Sequence, residues 1–472
     1  MNQGGSACTR WIVYVATGLT LLCAQGMSAQ EPTRNNPDLQ ALKDKFQRLE
    51  QEMQDLKGEI NAVEQAQQPS LAAAVAELTS PAPPPTENEK ASTEQEKFEG
   101  KINLYGFIML DSGYDFKTNN PDWFDVVRPT QLPAYAGEFA PDGKVYYGVR
   151  QTRFGVKTAT PSRFGDLKTQ FEFELFGTGV DAGQTTFRLR HAYGELGQFG
   201  AGQTWSAFMD IDVFPNTIEY WGPNGMVFFR NVQFRWMPIR RAGLQLTLAA
   251  ERPGATADQG QYSGRIELQN VAPKFDLPDF SGHLRLTREW GYIQTAGIFR
   301  KISWVDTGTG PYNLSGTAYG WGVNVTSNLK LGSKDVARLA AVYGDGIENY
   351  MNDAPVDIGI KDNFGNPVTP IKGVALPVLG VVSFLDHTWN QRFTSSGGFS
   401  MVNITNSDAQ VPADFHRGYY ALANLLYHPL PRVMMGGEFQ FGRRVDVGDG
   451  FSSNDYRLQF SFKYDWSKAF AY

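Results

Sequence analysis

From residue 101 onward, apolar and polar side chains alternate with a period of two, segment after segment. Phe171, Phe173 and Leu175 alternate with Gln170, Glu172 and Glu174; Leu244, Leu246 and Leu248 alternate with Gln245, Thr247 and Glu251. Val433, Met435, Phe439 and Phe441 stand against Glu438 and Gln440. Successive side chains of a strand point to opposite faces, so each segment predicts a strand with one apolar and one wet face. Sixteen strands are predicted, near 101–114, 145–158, 166–177, 186–195, 197–205, 227–238, 243–252, 281–290, 291–304, 316–331, 334–345, 377–390, 391–405, 417–428, 431–444 and 453–466. The alternation is weakest between 291 and 345.

Connections between these strands alternate in length. Trp290 to Tyr292, Asn328 to Lys334 and His428 to Arg432 are short turns. Lys117 to Lys144, Ser206 to Gly225, Pro253 to Phe280 and Ile347 to Leu376 are long. Short turns on one side and long loops on the other mark a transmembrane β-barrel. A soluble sandwich has no reason to segregate loop lengths in this way. Near the chain end, Tyr456, Leu458, Phe460, Phe462, Tyr464, Trp466, Phe470 and Tyr472 share one parity, broken only by Lys468. An aromatic stripe of that size needs lipid or a partner to cover it, and it resembles the signal read by the outer-membrane assembly machinery. The expected fold is therefore all-β, a 16-stranded antiparallel transmembrane β-barrel over 98–472, preceded by an N-terminal coiled-coil helix.

That helix is read from a change of period. Leu39, Leu42, Phe46, Leu49, Met53, Leu56, Ile60 and Val63 repeat at three-four spacing, which predicts a coiled coil over 30–66. Its mixed seam specifies self-association without fixing strand number. Residues 67–97 are Ala-rich, then Pro-rich at Pro81 to Pro85, then polar, the composition of a linker. At the start, Arg10 precedes the apolar run Trp11 to Ala24, followed by the small residues Gly26, Ser28 and Ala29. This predicts a secretory signal peptide over 1–29, too short to span a bilayer as a helix. Cleavage after 26 or 29 removes both Cys8 and Cys23; acylation of Cys23 is the alternative, opposed by Leu22 before it.

The net charge of −6 belongs to the stalk: residues 30–97 hold 13 acids against 7 bases, and 98–472 hold 36 against 35. Parity sorts the barrel charges. If the apolar parity meets lipid, Arg153, Lys157, Arg188, Arg190, Arg235, Arg285, Arg457 and Lys463 face inward, since a base at mid-bilayer costs roughly 2 to 4 kcal/mol. Glu172, Glu174, Glu251, Glu289 and Glu438 share that face. Overlapping fields from pore-lining bases favour anions; pairing with the glutamates and with Asp210, Asp212 and Glu219 of the Ser206 to Gly225 segment is the structural account, and the two are compatible. That segment mixes Phe208, Phe214, Tyr220 and Trp221 with acids and ends in Trp221-Gly-Pro-Asn-Gly. It is the candidate constriction loop, with an ordinary outer loop between subunits as the alternative.

The heptads at Leu39 to Val63, the stretch Tyr105-Gly-Phe-Ile-Met-Leu-Asp-Ser-Gly-Tyr, the motif Arg150-Gln-Thr-Arg-Phe-Gly and the run Gly202-Gln-Thr-Trp-Ser-Ala-Phe-Met-Asp together resemble the DcaP-like family of outer-membrane porins. The resemblance implies a homotrimer in outer-membrane lipid, a periplasmic coiled coil, passage of small anionic solutes such as dicarboxylates, and Arg153, Arg188 and Arg190 lining the eyelet. Two rivals are a phosphate-selective porin and an outer-membrane tether that conducts little. No catalytic role is expected: the five histidines, His191, His283, His387, His416 and His428, are scattered, and no HExxH, G-x-S-x-G, P-loop or CxxC pattern occurs. No cofactor or metal is implied, and the barrel lacks the basic excess of a nucleic-acid binder.

Overall fold

The computed structural model describes residue 51, residues 100–255, 268–448 and 450–471. The expected signal peptide, coiled coil and linker lie outside the described residues, Gln51 apart. The barrel strands are β1 (Lys101–Asp115), β2 (Lys144–Gly148 and Arg153–Thr160), β3 (Leu167–Phe176), β4 (Thr185–Leu196), β5 (Phe199–Trp205), β6 (Arg230–Arg241), β7 (Leu244–Glu251) and β8 (Val271–Lys274 and Asp279–Arg288). They continue as β9 (Gly291–Asp306), β10 (Gly316–Leu331), β11 (Asp335–Asp345), β12 (Pro377–Thr388), β13 (Phe393–Ile404), β14 (Phe415–Tyr427), β15 (Val433–Asp446) and β16 (Ser452–Ala471).

Eighteen hydrogen-bonded segments form one sheet. Two strands are each split in two, β2 pairing with β1 through both halves and β8 with β9 through both halves. The strand count is therefore sixteen. All neighbours are antiparallel, and β16 returns to β1 with register Lys101↔Ala471 to Asp115↔Arg457, which closes the barrel and leaves no edge. The last strand runs well past Trp466, which the alternation alone placed at its end.

Lipid faces the parity expected of it. Ile108, Leu110, Phe154, Phe171, Phe234, Leu284, Phe460 and Phe462 are exposed on the outer wall. All the long connections leave from the same end as the loop after β1. Within the loop between β11 and β12, Ile358–Asp362 pairs with Ile371–Ala375 as a small separate hairpin. Glu289 departs from expectation: it lies in the exposed turn between β8 and β9, beyond the last residue of the pleat, and not in the lumen.

Most of the residues between β5 and β6 are buried inside the barrel, Ile211 and Asp212 being exposed. Phe208, Met209, Val213, Met226 and Val227 pack against Ala296 and Ile298 of β9, Val342 of β11, Val382 and Phe384 of β12, Val402 of β13 and Leu422 of β14. Each apolar side chain so covered contributes roughly 1.5 to 3 kcal/mol, an upper figure. Here the inner wall of the barrel is apolar, and the loop is its cover.

Candidate functional site

The loop, residues 206–229, extends past Gly225 to the start of β6 and follows the inner wall by a series of polar bonds. Glu251 of β7 accepts from the Ser206 hydroxyl at 2.7 Å and the Ala207 amide at 3.2 Å. Asp210, 4% exposed, accepts from the Tyr292 hydroxyl at 2.7 Å and the Thr326 hydroxyl at 2.6 Å. The Asn424 amide reaches the Asn216 carbonyl at 2.7 Å. Glu438 of β15 accepts from the Thr217 hydroxyl at 2.7 Å and from the amides of Ile218 and Glu219 at 3.0 and 3.2 Å. Gln151 then donates to the Ile218 carbonyl at 2.8 Å. The loop thus passes from β7 round to β15 and β2, reaching most of the inner wall.

Two glycines let it lie that close. Gly222 has φ +74°, which favours glycine, and a Cβ on Gly225 would sit 2.0 Å from the Met401 carbonyl oxygen.

Beyond Glu219 the loop delivers Tyr220 to a cluster of opposite charges. Arg190 of β4 donates from Nε to Glu172 Oε1 at 2.6 Å, and from Nη1 to Glu174 Oε2 at 2.5 Å and the Tyr220 oxygen at 3.1 Å. Arg153 lies 3.6 Å from Glu172 and 3.5 Å from Glu174. Arg188 and Arg230 lie 3.6 and 3.5 Å from Glu174, whose side chain is fully buried. The Tyr220 hydroxyl also donates to Glu174. Four arginines therefore surround two carboxylates, leaving a net positive centre.

Cavities flank this cluster. One of about 430 Å³ is lined by Arg153, Arg190, Tyr220, Phe228, Arg432 and Lys463. The other, of about 330 Å³, is lined by Arg128, Arg188, Tyr220, Phe228, Arg230 and Glu348. Tyr220 and Phe228 border both. In the second cavity Arg128 stacks on Trp123 and Trp221, 4.1 and 4.2 Å from the ring centres, and pairs with Asp353 at 3.0 Å.

The residues expected from parity separate into two sets. Arg153, Arg188 and Arg190 come together, and Lys463, paired with Asp465 at 3.0 Å, lines the first cavity with them. Arg285 instead stands over Tyr292 and binds Asp210 at 3.5 Å and Asp212 at 2.6 Å, so it fastens the loop. Arg235 donates to Gln233 Oε1 at 2.6 Å and lines neither cavity. Glu219 pairs with no arginine among the described residues. It accepts from the amides of Val127 and Gly222 and from the Tyr420 hydroxyl, and burial pushes its carboxyl up to about 8, with Glu438 adding to the rise. His191 is 3% exposed and bonded to Thr204 Oγ1 at 3.0 Å.

Parity alone does not reveal Arg230. Val232, Phe234 and Trp236 of the same parity face lipid, yet Arg230 sits where the loop joins the strand, and its side chain follows the loop inward. The split in β2 is equally informative. Arg150, in the break, is 1% exposed and donates to Asp125 at 2.5 Å and the Gly177 carbonyl at 2.8 Å. In the Arg150-Gln-Thr-Arg motif, then, Arg150 ties down outer loops, Gln151 holds the constriction-loop candidate, Thr152 Oγ1 accepts from the Met109 amide, and Arg153 joins the charged cluster.

The profile of the DcaP outer membrane protein family matches residues 26–464. The crystal structure of the outer membrane channel DcaP of Acinetobacter baumannii is similar with a TM-score of 0.63 and 20% identity, covering 78% of this chain and 97% of that one. An anion-selective porin from Comamonas acidovorans has a TM-score of 0.49 at 10% identity, covering 78% and 100% of the two chains. In-vitro-folded OmpT of Vibrio cholerae has 0.47 at 11%, covering 78% and 98%. No curated protein matches the sequence. Its match to the family profile over most of its length, together with the closed sixteen-stranded barrel, means that the chain belongs to the DcaP outer membrane protein family and resides in the outer membrane.

Proposed function

We propose that the barrel is a passive diffusion channel for small hydrophilic solutes that favours anions such as dicarboxylates, and that it acts as a homotrimer joined in part by a periplasmic coiled coil at Leu39 to Val63. The observation that carries the reading is the convergence of Arg153, Arg188, Arg190 and Arg230 on Glu172 and Glu174 between two cavities. Arg153 and Arg188 stand 3.5 to 3.6 Å from their carboxylates, longer than hydrogen bonds, so they act on a solute through their charge, with Glu172 and Glu174 only loosely engaged. All four lie well within a Debye length of about 8 Å of one another's partners, so their fields add. With Arg188 and Arg230 on one side of Tyr220 and Arg153, Arg190 and Lys463 on the other, a dianion leaving one set meets the next.

Planar-bilayer recording of the purified protein tests this, with reversal potential in a KCl gradient and competition by succinate, phthalate and phosphate. Anion selectivity with millimolar competition by the dicarboxylates is expected. Cation selectivity defeats the role given to the arginines, and block by micromolar phosphate alone turns the assignment to a phosphate-selective porin. Absence of any conductance overturns the channel and favours a tether.

A further inference from the structure

The first cavity has a lining that a purely ionic pathway does not call for. Met434 of β15, Lys463 of β16 and Met109 of β1 stand side by side in the register and face inward, since their neighbours Met435 and Phe462 are exposed on the outer wall. Phe107, two residues from Met109 along β1, shares that inner face. Met109 is buried with Ile218 of the loop and Leu426 of β14, but Phe107 and Met434 stay partly exposed in the cavity they line. From the loop, Ile211, 37% exposed, and half-buried Phe214 add to the apolar lining.

Three bases border these side chains. Lys463 Nζ and the Arg153 guanidinium carbon stand 4.3 and 5.0 Å from the centre of the Phe107 ring, so one ring gathers both cations. Their side chains are 27% and 24% exposed. Arg432 lies in the turn between β14 and β15, where its carbonyl accepts from the Asp465 amide at 2.8 Å, two residues along from Lys463. The Arg432 side chain is exposed and makes no ion pair or hydrogen bond among the described residues. Its φ is +70°, a conformation that glycine or asparagine adopts with less strain. A strained residue whose charge is uncommitted is retained for something other than the turn itself.

Inward positions beside water ordinarily carry polar side chains. Exposed apolar ones bordered by accessible cations therefore describe a solute divided in the same way. The geometry points to an amphiphilic monoanion in the first cavity: one carboxylate or sulfonate group held by Arg432 and Lys463, and a short alkyl chain against Met434 and Ile211. This rests on the channel reading and adds a solute class to it, one with an apolar group where a dicarboxylate has its second charge. A cavity of about 430 Å³ is in the size range of small-molecule sites. The flexible thioether of Met434 suits chains of differing length.

Alkanesulfonates, which stay ionised while only the chain grows, test the assignment. Chloride current through the full-length protein in planar bilayers is recorded with ethanesulfonate, butanesulfonate or hexanesulfonate added. On the wild type, hexanesulfonate is expected to reduce the current at concentrations about fifteenfold below those of ethanesulfonate, about twofold for each methylene, as partial burial implies. The double variant Met434→Gln with Ile211→Gln is expected to shrink that ratio to about threefold. Arg432→Gly, which relieves the backbone, is expected to raise the concentrations of both probes about three- to fivefold and to keep their ratio, as loss of one charge contact in a wet site implies. Equal potency of ethanesulfonate and hexanesulfonate on the wild type, which needs no variant to fold, overturns the inference. So does a ratio unchanged in the double variant, or potencies unmoved in Arg432→Gly. Chloride current with a flat chain-length series sinks the amphiphile site alone, whereas absence of chloride current sinks the channel reading with it.

Discussion

Replacing Glu174 with Gln tests the charged cluster through two readouts that move in different ways. The glutamate is fully buried and lies 3.6 Å or closer to Arg153, Arg188, Arg190 and Arg230. Neutralising it keeps the side-chain volume and leaves Glu172 alone against four guanidinium groups. For an ion passing at about 8 Å, one unit charge is worth roughly 0.5 to 2 kcal/mol between the dielectric limits of water and a protein surface. Screening at about 0.1 M salt removes roughly half of that. The change favours chloride and disfavours potassium by the same amount, so the chloride-to-potassium permeability ratio should rise about two- to thirtyfold, measured as reversal potential in a KCl gradient. At the same time the broken buried pair costs about 3 to 5 kcal/mol, and the temperature at which the folded barrel loses its anomalous gel mobility should drop. A permeability ratio that stays constant or falls refutes the argument that this cluster sets the field in the lumen, whatever happens to stability.

Three other perturbations bear on the loop and the stalk. Glu438→Ala removes the acceptor of three loop donors, each charge-assisted bond worth roughly 1.5 to 3 kcal/mol; single-channel recordings should show larger and noisier openings, and an unaltered open level contradicts the seating described for Thr217 to Glu219. Because burial raises Glu219 to about 8, the folded loop holds that proton more tightly than the unfolded chain. Its contribution to stability is complete below the unfolded value near 4.5 and is lost as pH climbs through about 8. Current noise should grow above pH 8 in the wild type and not in Glu219→Gln; identical pH profiles for the two assign the effect elsewhere. Deleting residues 30–97 should leave conductance intact while weakening the trimer on mild-detergent gels, and loss of conductance would contradict that division of labour.

Much of the barrel could be read from the chain because lipid imposes a one-sided test: an outward polar residue is costly, so parity is enforced wherever the inner face is wet. The stretch 291–345 was hard to read for a reason now visible. Ile293, Phe299, Trp321 and Val323 face lipid, while Ala296, Ile298, Ala340 and Val342 face the loop, so both parities are apolar. Alternation fades when the lumen stops being water. Arg153, Arg188 and Arg190 were legible from parity, and their shared target at Glu172 and Glu174 was not, because cross-strand meeting depends on register and on the two irregularities between β3 and β4. Arg235 and Arg285 satisfied the same parity rule and lie elsewhere, since parity gives the face of the sheet and not the position around the barrel. Glu348 had no local signal at all: it is in a loop, and only the tertiary fold brings it to the lining of the second cavity.

The bonds that seat the loop also set an order of assembly. Thr217 and Glu438 are 221 residues apart, and Ile218 and Gln459 are 241 apart. Contacts of that separation cannot form until the intervening chain is in place. The loop can reach its full set of partners only when β15 and β16 have joined the sheet. Covering the apolar inner face from β9 to β14 is what favours docking of the loop. A lesion in the last two strands would therefore be felt first in the lumen, 200 residues upstream in the chain, as a channel that closes its sheet but never narrows.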